Sequence, residues 1–131
     1  MMQPEGPSPS IPPDLLIAPE WLAEMIARKP QFLARLFSVF IREEPKRVAD
    51  MSQALENGDL PGLKFLAHSL KGAAATMGCL NLRQICLELE QAALAEDLDL
   101  ARTILDRVHA HMEQICLFMS RHLESQAPPS N

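Results

Sequence analysis

The sequence predicts an all-α protein: an up-down-up-down four-helix bundle with an additional short N-terminal helix. Three observations carry this. Apolar residues recur three and four positions apart through five stretches, the spacing that lines one face of an α-helix. Only a few residues separate the stretches, and they hold helix-stop and helix-start chemistry: Lys29-Pro30, Asn57-Gly58-Asp59, Gly78 and Asp97. Finally, the chain of 131 residues, 47% apolar and 22% charged, has the size and composition of one folded domain with a modest core.

Residues 1–13, MMQPEGPSPSIPP, hold five of the eleven prolines and a single charge, Glu5. Such a segment has little apolar surface to bury, and it reads as a disordered, Pro-rich tail and spacer. The bundle is expected over residues 14–125, with residues 126–131 as a second disordered tail. Pro19 suits a first helical turn, and Trp21, Leu22, Met25 and Ile26 follow at helical spacing, giving the short helix that covers one end or edge of the bundle. Trp21 and Phe32 are expected in the core.

From Pro30 a long helix carries Leu33, Leu36, Phe37, Phe40, Val48, Met51 and Leu55 on one stripe and stops at Asn57-Gly58. Pro45 removes one hydrogen bond and crowds the carbonyl of Ile41, so a kink is expected over residues 41–45. The stripe resumes in phase beyond it, which predicts one helix rather than two. Asp59 is placed to cap the next helix, with Pro61 in its first turn, and Gly78 to end it in a left-handed conformation. The following helix buries Leu82, Ile85, Cys86, Leu89 and Ala93. So short a connection makes these two helices antiparallel neighbours. Asp97 then caps the last helix, where the apolar spacing holds from Ala101 to Leu123.

The stretch from Ala67 to Gly78 carries the chemistry. At ~100° per residue, Leu63, Leu66, Leu70, Ala73, Ala74 and Met77 share one side, and His68 falls opposite their centre. Its imidazole therefore points at solvent, with Lys64 four residues before it and Lys71 three after on the same face. Gly72 and Ala75 leave the space ahead of the ring bare. A glycine inside a helix costs about 1 kcal/mol relative to alanine, and Gly72 stands where a side chain would crowd the ring. A histidine that accepts a phosphoryl group needs a free ring nitrogen, room for in-line displacement and nearby positive charge. His68, Gly72 and Lys71 supply these three.

His68-Ser69-Leu70-Lys71-Gly72 with Gly78 resembles the H-x-L-K-G-x5-G signature of the histidine-containing phosphotransfer (HPt) domain of two-component phosphorelays. The order of helices from about residue 19 to 124 resembles that family too. The resemblance implies that His68 is the phosphoryl acceptor, that Lys71 stabilises the transferring phosphate and that Gly72 gives it access. It also implies that donors and acceptors are receiver domains of response regulators and a hybrid histidine kinase, with Mg²⁺ bound by the partner receiver and no cofactor of this chain's own. Lys64, Phe65, Ser69 and Ala75 are the candidate partner-binding residues, Phe65 either exposed beside His68 or covered by the first helix. Some HPt proteins place a glutamine on the helix after the histidine helix, and the matching position here is Glu90. An ionised carboxylate does not hydrogen-bond phosphate, so that contact is not carried over. Glu90 is instead a candidate to accept a bond from the ring nitrogen that keeps its proton.

Several classes are excluded or disfavoured. The net charge of −5 and a pI near 5.3 are unlike a nucleic-acid surface. No apolar run has the length of a membrane span, and the start lacks a signal peptide's basic and apolar segments. Cys79, Cys86 and Cys116 are odd in number and lack metal or redox spacing, so they read as buried free thiols on helices in a reducing, cytoplasmic compartment. His109, His111 and His122 read as surface or boundary residues, and the Glu-x-x-His pairs of a bundle metal site are missing. With no P-loop or glycine-rich nucleotide loop, the chain reads as a phosphoryl-group carrier rather than a stand-alone kinase. The alternative is a non-phosphorylated helical adaptor that binds receiver or kinase domains. A monomer is expected, free-standing on the evidence of its two initial methionines, although a piece of a larger kinase would begin the same way.

Overall fold

The computed structural model describes residues 10–126. Over them the chain forms six helices: α1 (Pro13–Leu16), α2 (Pro19–Arg28), α3 (Pro30–Glu56), α4 (Leu60–Thr76), α5 (Leu80–Leu94) and α6 (Leu98–Gln126). There is no strand among the described residues. The four long helices close a ring in which α3 packs on α4, α4 on α5, α5 on α6 and α6 back on α3. Short turns make sequence neighbours antiparallel, so this is an up-down-up-down four-helix bundle. Its axis is filled by Leu33, Phe37, Met51, Leu63, Leu70, Leu82, Leu89, Val108, Ile115 and Met119, all fully buried.

The turns are built from local chemistry. Three helices end in the same Schellman motif, with a left-handed residue just past the end and a 6→1 bond closing it. Gly58 (φ 70°) ends α3 with Asp59 N–H donating to Ala54 O at 2.8 Å, and Gly78 (φ 69°) ends α4 with Cys79 N–H donating to Ala74 O at 2.9 Å. At the end of α5 the left-handed residue is Glu96 (φ 57°), with Asp97 N–H donating to Ala92 O at 3.0 Å. Each of the two predicted acidic caps then starts a helix. Asp59 Oδ1 accepts from Gly62 N–H at 2.9 Å, and Asp97 Oδ1 accepts from Leu100 N–H at 3.1 Å. Through Pro45 α3 runs as one helix, as the in-phase stripe requires.

The N-terminal region differs from expectation. Structured chain begins before residue 14: Ile11 packs against the core, Pro13 opens α1, and Leu16 and Ile17 are buried. Two large apolar residues next to each other anchor this segment against α5 and α6 despite the prolines around them. At the other end α6 runs on to Gln126, which was expected in the tail. Residues 1–9 of the tail proposed over 1–13, and residues 127–131 of the tail proposed over 126–131, lie outside the described residues. The predicted short helix is α2. It leans on α3, and its N-terminus is tied to the α4–α5 turn by Ala18 N–H donating to Gly78 O at 2.8 Å. Trp21 is half-buried there, but Phe32 is exposed and carries Lys29 Nζ over its ring at 5.8 Å. Phe32 lies roughly 120° around α3 from the core stripe, so it cannot share that stripe's burial. Cys79 is also displaced from expectation, preceding α5 at its N-cap rather than lying within a helix.

Candidate functional site

The face of α4 opposite the core presents His68, and the side of that face nearest α5 meets Glu90. His68 is 70% exposed at its side chain, and its Nδ1 stands 3.4 Å from Glu90 Oε2. Lys71 Nζ stands 2.6 Å from the other carboxylate oxygen, Oε1. Glu90 therefore bridges the histidine and the lysine. Both of the bridged partners sit on α4, three residues apart, while the carboxylate rises from α5 between them.

These groups differ sharply in solvation. The Lys71 side chain is 22% exposed and that of Glu90 only 13%, so the ion pair is largely withdrawn from water while the ring beside it is not. Glu90 Oε1 is wholly shielded from solvent and receives no hydrogen bond in directed geometry among the described residues. The Lys71 ammonium compensates it by charge rather than by an aligned bond. Beneath the pair, one turn earlier on α5, the buried Cys86 thiol is pushed up to about 12, chiefly by burial and then by the Glu90 charge, with Lys71 opposing. Cys79, also buried, is pushed up to about 12 by burial and by Cys116, whose own thiol burial raises. The three free thiols are poor nucleophiles at neutral pH.

The remaining candidates surround the ring unequally. Phe65 is 70% exposed, so it is not covered by α2. Lys64 and Ala75 are exposed too. Ser69 is half-buried, and its hydroxyl donates back to Phe65 O at 3.2 Å, which engages it within its own helix. At Gly72 the expectation needs correcting. A Cβ placed there meets nothing within 4 Å, so an alanine would not crowd the resting ring. The space above Gly72 is open, and any need for the glycine comes from what approaches from outside.

Two residues of this region were not singled out in the sequence. Leu94 on α5 is 69% exposed and lines a recess of about 290 Å³ with Pro61 and Lys64, on the turns of α4 preceding His68. Exposed Leu94 has no sequence signal beyond lying off the inner stripe of α5. Glu44 on α3 is the one charged residue among the described residues with almost no exposure, at 5%. Arg47 donates to both of its carboxylate oxygens, and burial nevertheless holds its carboxyl above the ordinary glutamate range, against the pull of Arg47. Its position was readable, since it falls between Phe40 and Val48 in the centre of the α3 stripe.

Comparisons with known proteins give the family and the fold. A sequence model of the Hpt domain matches residues 35–117, from the first third of α3 to well into α6. This chain belongs to the Hpt domain family. Histidine phosphotransfer in phosphorelays is the activity associated with that family. The chain is 33% identical over 51 residues to Multistep phosphorelay regulator 1 of Schizosaccharomyces pombe, a match covering 39% of this chain and 17% of that protein. It is 26% identical over 83 residues to Histidine-containing phosphotransfer protein 1 of Oryza sativa subsp. japonica, covering 56% of each. The matches thus span about half or less of these relatives. The crystal structure of histidine-containing phosphotransfer protein B from Pseudomonas aeruginosa PAO1 superposes with a TM-score of 0.74 at 21% identity, covering 92% of this chain and all of that one. That likeness establishes the Hpt fold. Among the described residues no helix is long and apolar enough to cross a membrane, and no three His, Cys, Asp or Glu side chains gather as a metal site.

Proposed function

We propose that this chain is a phosphorelay carrier in which His68 accepts a phosphoryl group from a receiver-domain aspartyl phosphate and passes it to the aspartate of another receiver. The observation that carries the reading is the imidazole itself: 70% exposed on α4, with Nδ1 turned to Glu90 and the opposite nitrogen, Nε2, making no hydrogen bond among the described residues. A carboxylate facing Nδ1 favours the tautomer that keeps its proton there, and Nε2 then holds the lone pair. Nε2 attacks phosphorus, the N–P bond forms, and the acyl O–P bond breaks with its electron pair staying on the receiver's carboxylate. The ring gains positive charge beside Glu90 Oε2. Transfer onward reverses these bonds.

The partners are response-regulator receiver domains and a hybrid histidine kinase. The Mg²⁺ of the reaction sits on the receiver, where it offsets phosphate charge. Lys71 is the nearest cation for the transferring group on this side, and Lys64, Phe65 and Ala75 form the surrounding contact face, joined by Leu94 and Pro61. Phe65 and Leu94 offer large apolar area that a docking partner would remove from water.

The test is transfer from a panel of phosphorylated receiver domains to the native chain, His68→Gln and Lys71→Ala. Acid-labile label on the native chain, absent from the first variant and slower to appear on the second, supports the carrier. Absence of label from every receiver, with a folded bundle, replaces it with a non-phosphorylated adaptor.

A further inference from the structure

Resting on that proposal, we infer that Glu90 is a positioning residue that competes with the phosphoryl group for the Lys71 ammonium, and so sets how readily phosphohistidine gives its phosphoryl group up. The geometry gives Lys71 two calls on one charge. At rest its ammonium stands 2.6 Å from Glu90 Oε1, in a pair largely out of water. That oxygen is shielded from solvent, and Lys71 compensates it. Once His68 carries a phosphoryl group, a dianion stands on the same helix face as Lys71, three residues away.

Neither arrangement satisfies both anions. If Lys71 stays with Glu90, the phosphoryl group lies beside a carboxylate without its nearest cation. If Lys71 turns to the phosphoryl group, a shielded carboxylate oxygen is left without its counter-charge, which buried anions tolerate poorly. Either way phosphohistidine is raised in free energy relative to free histidine. Glutamine at position 90 relieves the conflict at nearly the same volume. Its amide oxygen still accepts from Nδ1–H or from Lys71, its NH₂ can donate to phosphate, and a neutral side chain makes no claim on the ammonium.

Two reactions read this out. In hydrolysis a water oxygen forms the new P–O bond, Nε2 recovers the N–P electron pair, and inorganic phosphate leaves. In transfer to a receiver the aspartate carboxylate oxygen is the nucleophile instead. Both discharge the same N–P bond, so lowering the free energy of phosphohistidine slows the first and shifts the equilibrium of the second.

The experiment charges the purified full chain with phosphoramidate, a small donor that needs no docking surface, and follows the acid-labile label. The proteins are native, Glu90→Gln, Lys71→Ala and the double variant, each checked for helical content. Glu90→Gln is expected to lengthen the phosphohistidine half-life about tenfold and to shift the label shared with a receiver toward this chain by a similar factor. In the Lys71→Ala background the gain should shrink several-fold, because no shared ammonium remains to be released. An unchanged or shortened half-life in Glu90→Gln overturns the inference while leaving His68 as acceptor. So does an equal gain in both backgrounds, which would mean that Glu90 acts on the phosphoryl group without Lys71. If folded native chain takes no label at His68, the carrier proposal itself falls, and this inference with it.

Discussion

The Trp21 indole rests against Gly78: a Cβ built on the glycine would come within 3.0 Å of two ring carbons. Gly78 therefore meets two separate demands, a left-handed backbone that ends α4 and the absence of a side chain beneath α2. The same residue's carbonyl accepts from Ala18 N–H, so the turn between α4 and α5 also anchors the N-terminal cover.

Replacing Gly78 by alanine should lower stability by about 2 kcal/mol, from left-handed strain and from displacement of the indole. Urea unfolding measures the loss. Fluorescence of the single tryptophan should shift in the folded variant, because the ring must move. In a Trp21→Ala background the loss should fall to the strain component alone. A loss equal in both backgrounds would mean that the contact contributes nothing.

Gly72, in contrast, is surrounded by open space. Gly72→Ala should raise stability by about 1 kcal/mol, since alanine is the better helix former and its methyl meets nothing. If the glycine exists for an approaching receiver, phosphoramidate should label His68 of the variant at the native rate while transfer from a receiver slows roughly tenfold. Native-rate transfer would remove Gly72 from the site.

What was legible in the sequence was local. Asp59 and Asp97 cap as expected because a cap needs only a side-chain oxygen and an N–H three residues on. His68 stands exposed because the helical period alone sets its direction. Where tertiary packing decides, the sequence was a weaker guide. Four residues of α1 are held by the burial of Leu16 and Ile17, not by any propensity of a proline-flanked tail. The reach of Glu90 across to both His68 and Lys71 depends on how close α4 and α5 lie, which no spacing along the chain encodes.

Glu96 presents the one left-handed non-glycine residue among those described. For an L side chain this conformation costs about 1–2 kcal/mol, and glycine returns part of that through greater freedom in the unfolded chain. Since Glu96 is exposed, Glu96→Gly should stabilise the protein by roughly 0.5–1 kcal/mol in urea unfolding. A net loss would show that the glutamate side chain supports the α5–α6 turn by more than its backbone strain costs.

Glu44 provides the pH test. Burial raises its carboxyl above the value it has in the unfolded chain, and Arg47 only partly opposes this. A carboxyl with a raised folded-state value binds its proton more tightly in the native protein. Its contribution to stability is therefore lost as pH rises from the ordinary glutamate range, about 4, through the folded-state value, and the ionised group remains a cost above that. Glu44→Gln keeps an oxygen for Arg47 but removes the charge. The variant should match the native protein at low pH and become progressively more stable relative to it as pH rises to neutrality, by thermal or urea unfolding at several pH values. Lower stability of Glu44→Gln at neutral pH would mean that the bidentate Arg47 pair outweighs burial of the charge, and that α3 gains rather than loses from an ionised residue in the centre of its core stripe.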